Sequence, residues 1–69
     1  MPYATNDDLP PAVRAHLPTR AQDIYREAFN HAFDHYGPWN EAIAHRVAWA
    51  AVKRRYEKRH GIWTARGWT

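Results

Sequence analysis

The stretch Thr19-Arg20-Ala21-Gln22-Asp23-Ile24-Tyr25-Arg26-Glu27-Ala28-Phe29-Asn30-His31-Ala32-Phe33-Asp34-His35-Tyr36-Gly37-Pro38 decides the fold of this chain. Ala21, Ile24, Tyr25, Ala28, Phe29, Ala32, Phe33 and Tyr36 recur at spacings of three and four. At 100° per residue they cover a stripe of about 140° on one side of a helix. Asp23, Arg26, Glu27, Asn30 and Asp34 fall on the other side. Thr19 to Gln22 fits a capping box at the start. Gly37 suits a left-handed stop, and Pro38 blocks continuation. One amphipathic helix of about five turns therefore needs an apolar partner.

That partner follows directly. Nine of the eleven residues from Ala42 to Val52 are apolar, with His45 and Arg46 between them. The apolar positions surround the axis, which predicts a central helix covered on nearly all sides. It should run from about Trp39 or Asn40 to His60 and stop at Gly61, its charged second half projecting into solvent. Upstream, Pro10 to Leu17 reads as a short helix. Proline is tolerated in a first turn, Asp8 is the expected N-cap, and Pro18 ends the helix. Met1 to Ala4 and Ile62-Trp63-Thr64 read as extended. The covering demand of the central helix predicts that these two ends pair as a short ribbon beside it. The fold class is thus mainly α: three helices with a two-stranded ribbon from the N- and C-terminal segments. Residues 1–64 read as a single domain and 65–69 as a short tail.

Sixty-nine residues make a thin core, burying roughly 60% of the surface of the unfolded chain. There is no cysteine, which excludes disulfides, thiolate catalysis and Cys-based metal centres. A reducing, cytoplasmic setting is expected. The first residues show neither a basic nor an apolar leader region, so no signal peptide is expected. The apolar run of eleven is far short of the ~20 residues of a membrane span, so no membrane insertion is expected. The net charge is +3 but unevenly spread. Residues 53–69 hold six basic side chains and Glu57, a net of +5, and residues 1–52 a net of −2.

The ordered blocks Met1-Pro2-Tyr3, Asp8-Leu9-Pro10, Leu17-Pro18, Ala21-Gln22-Asp23-Ile24-Tyr25, Ala28-Phe29-Asn30 and Ala44-His45-Arg46-Val47-Ala48-Trp49-Ala50-Ala51-Val52-Lys53, then Tyr56, carry a resemblance. Over roughly residues 1–63 the chain resembles the ChaB family, described as cation transport regulators. The resemblance implies a three-helix domain with a small sheet, no catalytic residues to transfer, and a cation/proton antiporter as protein partner. The link Gly37-Pro38-Trp39-Asn40 is shorter than the charged loop of some members, so no function of that loop carries over. The tail, with Trp68, matches nothing in the family.

Candidate sites are few. His31 and His35 stand one turn apart, a metal-capable spacing, but with no third ligand in sequence they read as solvated or boundary histidines, His35 lying on the edge of the apolar stripe. His45 needs a partner, expected from a backbone carbonyl or an acid in the first helix or lead. Asp7 and Asp8 read as capping residues. Tyr3, Trp39, Trp49, Tyr56 and Trp63 read as core aromatics, chiefly Trp49 and Trp63. The chain has no serine and no glycine-rich loop, so no nucleophile–base pair or phosphate cradle emerges, and neither enzyme activity, a metal nor a cofactor is expected. Lys53, Arg54, Arg55, Lys58 and Arg59 are the candidate contacts to nucleic acid or an acidic partner. Two functions follow: a monomeric regulatory protein that binds a protein partner, and a nonspecific nucleic-acid binder using the basic end of the third helix.

Overall fold

The computed structural model describes residues 2–66. Its frame is an antiparallel pair of helices, α2 (Thr19–Tyr36) and α3 (Glu41–Arg55), preceded by the short α1 (Pro11–His16). Single 3-10 turns at Asn6–Asp8 and Pro38–Asn40 introduce α1 and α3. A hairpin of β1 (Tyr56–Arg59) and β2 (Ile62–Ala65) closes the chain. Among the described residues no helix is long and apolar enough to cross a membrane.

The stripe on α2 buries Ala21, Tyr25, Phe29 and Ala32, with Ile24, Ala28 and Phe33 half-buried beside them. Tyr36, at the end of the stripe, stays exposed. The facing stripe of α3 is Ala44, Ala48 and Val52, spaced four apart. Leu9, Val13 and Leu17 from the lead and α1 cap one side of the core, and Tyr56 closes its far end. Gly37, at φ +83°, ends α2 and donates its N–H to the Phe33 carbonyl. The start of α2 differs from the expected capping box. Pro18 is the N-cap, Thr19 is already helical, and Gln22 turns back to donate to the Leu17 carbonyl at 2.8 Å.

Three expectations are corrected. First, the ribbon is not built from the two ends of the chain. Tyr56 pairs with Ala65 and Arg59 with Ile62, so both strands lie after α3. The reason is on α2. Asn30, expected on the solvent side, is buried, and its side chain acts as a substitute peptide group. It accepts from the Tyr3 N–H at 3.1 Å and donates to the Tyr3 carbonyl at 2.7 Å. The lead is thereby held to α2 without a strand partner, with the Tyr3 ring 4.8 Å from Phe29.

Second, α3 stops at Arg55, not His60. His60 and Gly61 both have positive φ, at 52° and 81°, the signature of a two-residue hairpin turn whose twist matches the strands. Local propensity in Glu57-Lys58-Arg59 favours helix, but cross-strand pairing and the burial of Tyr56 override it. A helix would also have turned Tyr56 toward the core, so periodicity could not separate the two.

Third, α3 is not covered all round. Ile43 and Val47 are 36% and 37% exposed, and Trp39 is 92% exposed. A six-residue α1 and one hairpin are too little material to bury a second face. Trp49 and Trp63 are half-buried at the core margin.

Candidate functional site

The five basic candidates do not form one patch. Lys53, Arg54 and Arg55 occupy the last turn of α3, while Lys58 and Arg59 lie on β1. The break at Tyr56 sends them to different sides. Lys53 and Lys58 meet again around a recess of about 410 Å³ floored by Trp49 and Trp63, with Ala12 and His16 of α1 on its rim. The two indole rings are 5.6 Å apart, and Lys58 stands opposite Trp63 in the strand register. Arg59 instead pairs with Glu57 on its own strand.

Arg55 faces elsewhere. With Arg20, from the first turn of α2, it lines a groove of about 600 Å³ between α2 and α3. The floor is Ile24, Ala28 and Ala51, and Asp23, Arg26 and Glu27 stand along one flank. The groove continues toward the hairpin past Tyr56 and Arg66. Arg66 is held there: its guanidinium donates to the Lys53 carbonyl at 2.6 and 2.8 Å and lies 3.5 Å from Glu57. Arg20 and Arg66 were missed in the sequence because they are remote from the basic run, and only the fold brings them to Arg55. The tail assigned to 65–69 starts inside this arrangement, since Ala65 is the last residue of β2. Trp68 lies outside the described residues.

His45 finds a different partner from the one expected. The Tyr25 hydroxyl is 2.5 Å from Nδ1, and Nε2 is 3.5 Å from a Glu41 carboxylate oxygen one turn earlier. Burial, with the nearby Tyr3 and Glu41 charges adding to it, pushes the Tyr25 phenol up to about 12. The hydroxyl–Nδ1 contact and the approach of Nε2 to Glu41 hold the imidazole between the two helices. This is a structural tie between α2 and α3, with no nucleophile beside it. His31 and His35 are exposed, and the His35 ring packs edge-on against Tyr36. Among the described residues no three His, Cys, Asp or Glu side chains gather into a metal-holding group. Asp8 serves the turn before α1, accepting from the Thr5 N–H at 3.2 Å and not from α1 itself.

Comparison with known proteins adds a family. A family model described as ChaB matches residues 9–66. Proteins of Escherichia coli and Shigella flexneri named "Putative cation transport regulator ChaB" are each 52% identical to the chain, covering 84% of it and 87% of their own length. A solution NMR structure bearing the same name superposes with a TM-score of 0.83 at 45% identity, covering 96% of this chain and 100% of that one.

Proposed function

The chain belongs to the ChaB family, and from that premise we propose that it is a small regulatory protein of cation transport that acts on a protein partner, a cation/proton antiporter. It would do so as a cytoplasmic monomer and without catalysis. One observation carries the reading: the matched relatives, similar over most of their length, are named as cation transport regulators. The described surface fits a binding role, since it offers charged grooves and no nucleophile–base pair. The test is cation/proton exchange in everted membrane vesicles with and without the purified protein. A changed exchange rate supports the reading, and an unchanged rate overturns it. Co-purification from the native host, scored for transporters and for nucleic acid, identifies the partner.

A second reading, nonspecific nucleic-acid binding, is favoured by the Lys53–Lys58 recess over Trp49 and Trp63. Aromatic faces bearing adjacent cations suit an unpaired base and its phosphate. Of the five proposed contacts, Lys53 and Lys58 share this recess, so the interaction would be weak and only shallowly salt-dependent.

A further inference from the structure

Neither reading says what the groove between α2 and α3 would receive. Three arginines line it: Arg26 is committed to Asp23 and Asn6, while Arg20 and Arg55 are exposed. Neither side chain has an ion-pair partner among the described residues, whereas Arg26, Arg59 and Arg66 all do. Between them lies an apolar floor of Ile24, Ala28 and Ala51. Two unpaired guanidiniums over aliphatic surface call for carboxylates attached to an apolar body. Guanidinium is suited to carboxylate because its planar fork matches both oxygens.

We infer that this groove receives an acidic segment of a protein partner, with its carboxylates on Arg20 and Arg55 and an aliphatic side chain on the floor. Charge along the groove sets the direction. The hairpin end carries Arg20, Arg55 and Arg66. The flank toward the middle of α2 carries Asp23 and Glu27, and Glu27 has no ion pair among the described residues. A continuous phosphate backbone running the length of the groove would meet the unpaired carboxylate of Glu27 and the Asp23–Arg26 pair. A peptide avoids them by following its acidic residues with a basic one, so the mixed lining selects a peptide over nucleic acid. Arg20 adds to the attraction from the first turn of α2, where the helix dipole is positive.

This inference rests on the reading that the domain acts on a protein. Its test uses the full chain and a fluorescein-labelled peptide with alternating glutamates and leucines followed by two lysines. Controls are the same peptide with glutamine for glutamate, and a labelled oligothymidylate. Binding is read by anisotropy, and the surface by amide chemical shifts. The acidic peptide should bind, the glutamine peptide should bind less, and the shifts should centre on Ile24, Ala28 and Ala51. Arg20→Glu/Arg55→Glu should weaken binding by roughly ten-fold, the loss expected for two exposed charge pairs. Lys53→Glu/Lys58→Glu should leave it largely intact. Both variants alter exposed side chains, and a thermal melt checks that they fold. Equal binding of the two peptides, or equal loss in both variants, overturns the inference. Oligothymidylate binding that disappears with Arg20→Glu/Arg55→Glu overturns the choice of a peptide. The two readings fail separately. Peptide binding with no effect of the chain on vesicle exchange refutes only the regulatory function, and exchange modulation that survives Arg20→Glu/Arg55→Glu refutes only the groove.

Discussion

The Tyr25 hydroxyl sits 2.5 Å from His45 Nδ1 and bolts the middle of α2 to the first turns of α3. The ring of Tyr25 is fully buried, packed edge-on against Trp49 at 5.3 Å and stacked toward Phe29 at 6.1 Å. The phenol therefore couples hydrophobic packing to a directional contact between the two main helices.

The raised ionisation of Tyr25 sets an alkaline limit. The ordinary phenol titrates near 10 and the folded one near 12. Below pH 10 both states hold the proton and the stabilisation is complete. Between pH 10 and 12 the unfolded chain ionises first, so stability drains away as pH rises. The loss should be of the order of 2 kcal/mol. Urea melts at pH 9 and 11.5 measure it, with Tyr25→Phe as control. Tyr25→Phe should be less stable at neutral pH, by about 1 kcal/mol for a lost hydrogen bond, and should show a smaller alkaline fall. An identical fall in both chains would assign the effect to other groups, Tyr3 first, whose phenol burial also pushes up.

Asn30→Ala removes both bonds to Tyr3 and leaves its N–H and its carbonyl to water. We expect a cost of about 1–3 kcal/mol. Deleting residues 1–5 should cost more, since the Tyr3 ring on Phe29 and the Thr5–Asp8 contact go with it, and Asn30→Ala should add little on top because the deletion already breaks its bonds. Thermal melts of the two single variants and the combined one decide this. Full additivity would show that the lead is held elsewhere.

Gly61→Val places a β-branched side chain at φ +81°, where nothing crowds the Cβ but the backbone itself is unfavourable. The hairpin should loosen, and cross-strand contacts between Glu57 and Thr64 should weaken in NMR spectra. His60→Asn, which tolerates positive φ better, should tighten the same turn. An unaffected hairpin in Gly61→Val would contradict the turn assignment.

Trp49→Ala removes a half-buried ring that bridges Tyr25 and Trp63. The expected loss is about 3 kcal/mol, the low end for aromatic truncation because the ring is partly wet. A loss below about 1 kcal/mol would mean that Trp49 contributes little to the core margin.

If Lys53 and Lys58 serve nucleic acid, single strands should bind with a log–log salt slope near −1.4, about −0.7 per phosphate contact. Trp63→Ala should weaken binding without changing that slope, because stacking releases no counterion. A slope near −3.5 would require all five basic residues on one strand, which their division between α3 and β1 opposes.

The sequence by itself determined α2 and its buried face, because a 3,4 spacing held from Ala21 to Phe33 leaves one helical solution. It also determined the stops at Pro18 and Gly37, and the family, carried by ordered blocks along nearly the whole chain. What the tertiary structure decided lies where a residue's role depends on something far along the chain. Asn30 reads as a surface amide until Tyr3, 27 residues earlier, presents its peptide group. Tyr56 satisfies the core as helix or as strand, and only pairing with Ala65 chooses between them. Ile43 and Val47 look buried by composition, but among the described residues no element packs fully over them. The five basic residues form a single run in sequence. The change of backbone at Tyr56 divides them, and Arg20, whose position in the sequence carries no hint of it, joins Arg55 because α2 and α3 run antiparallel.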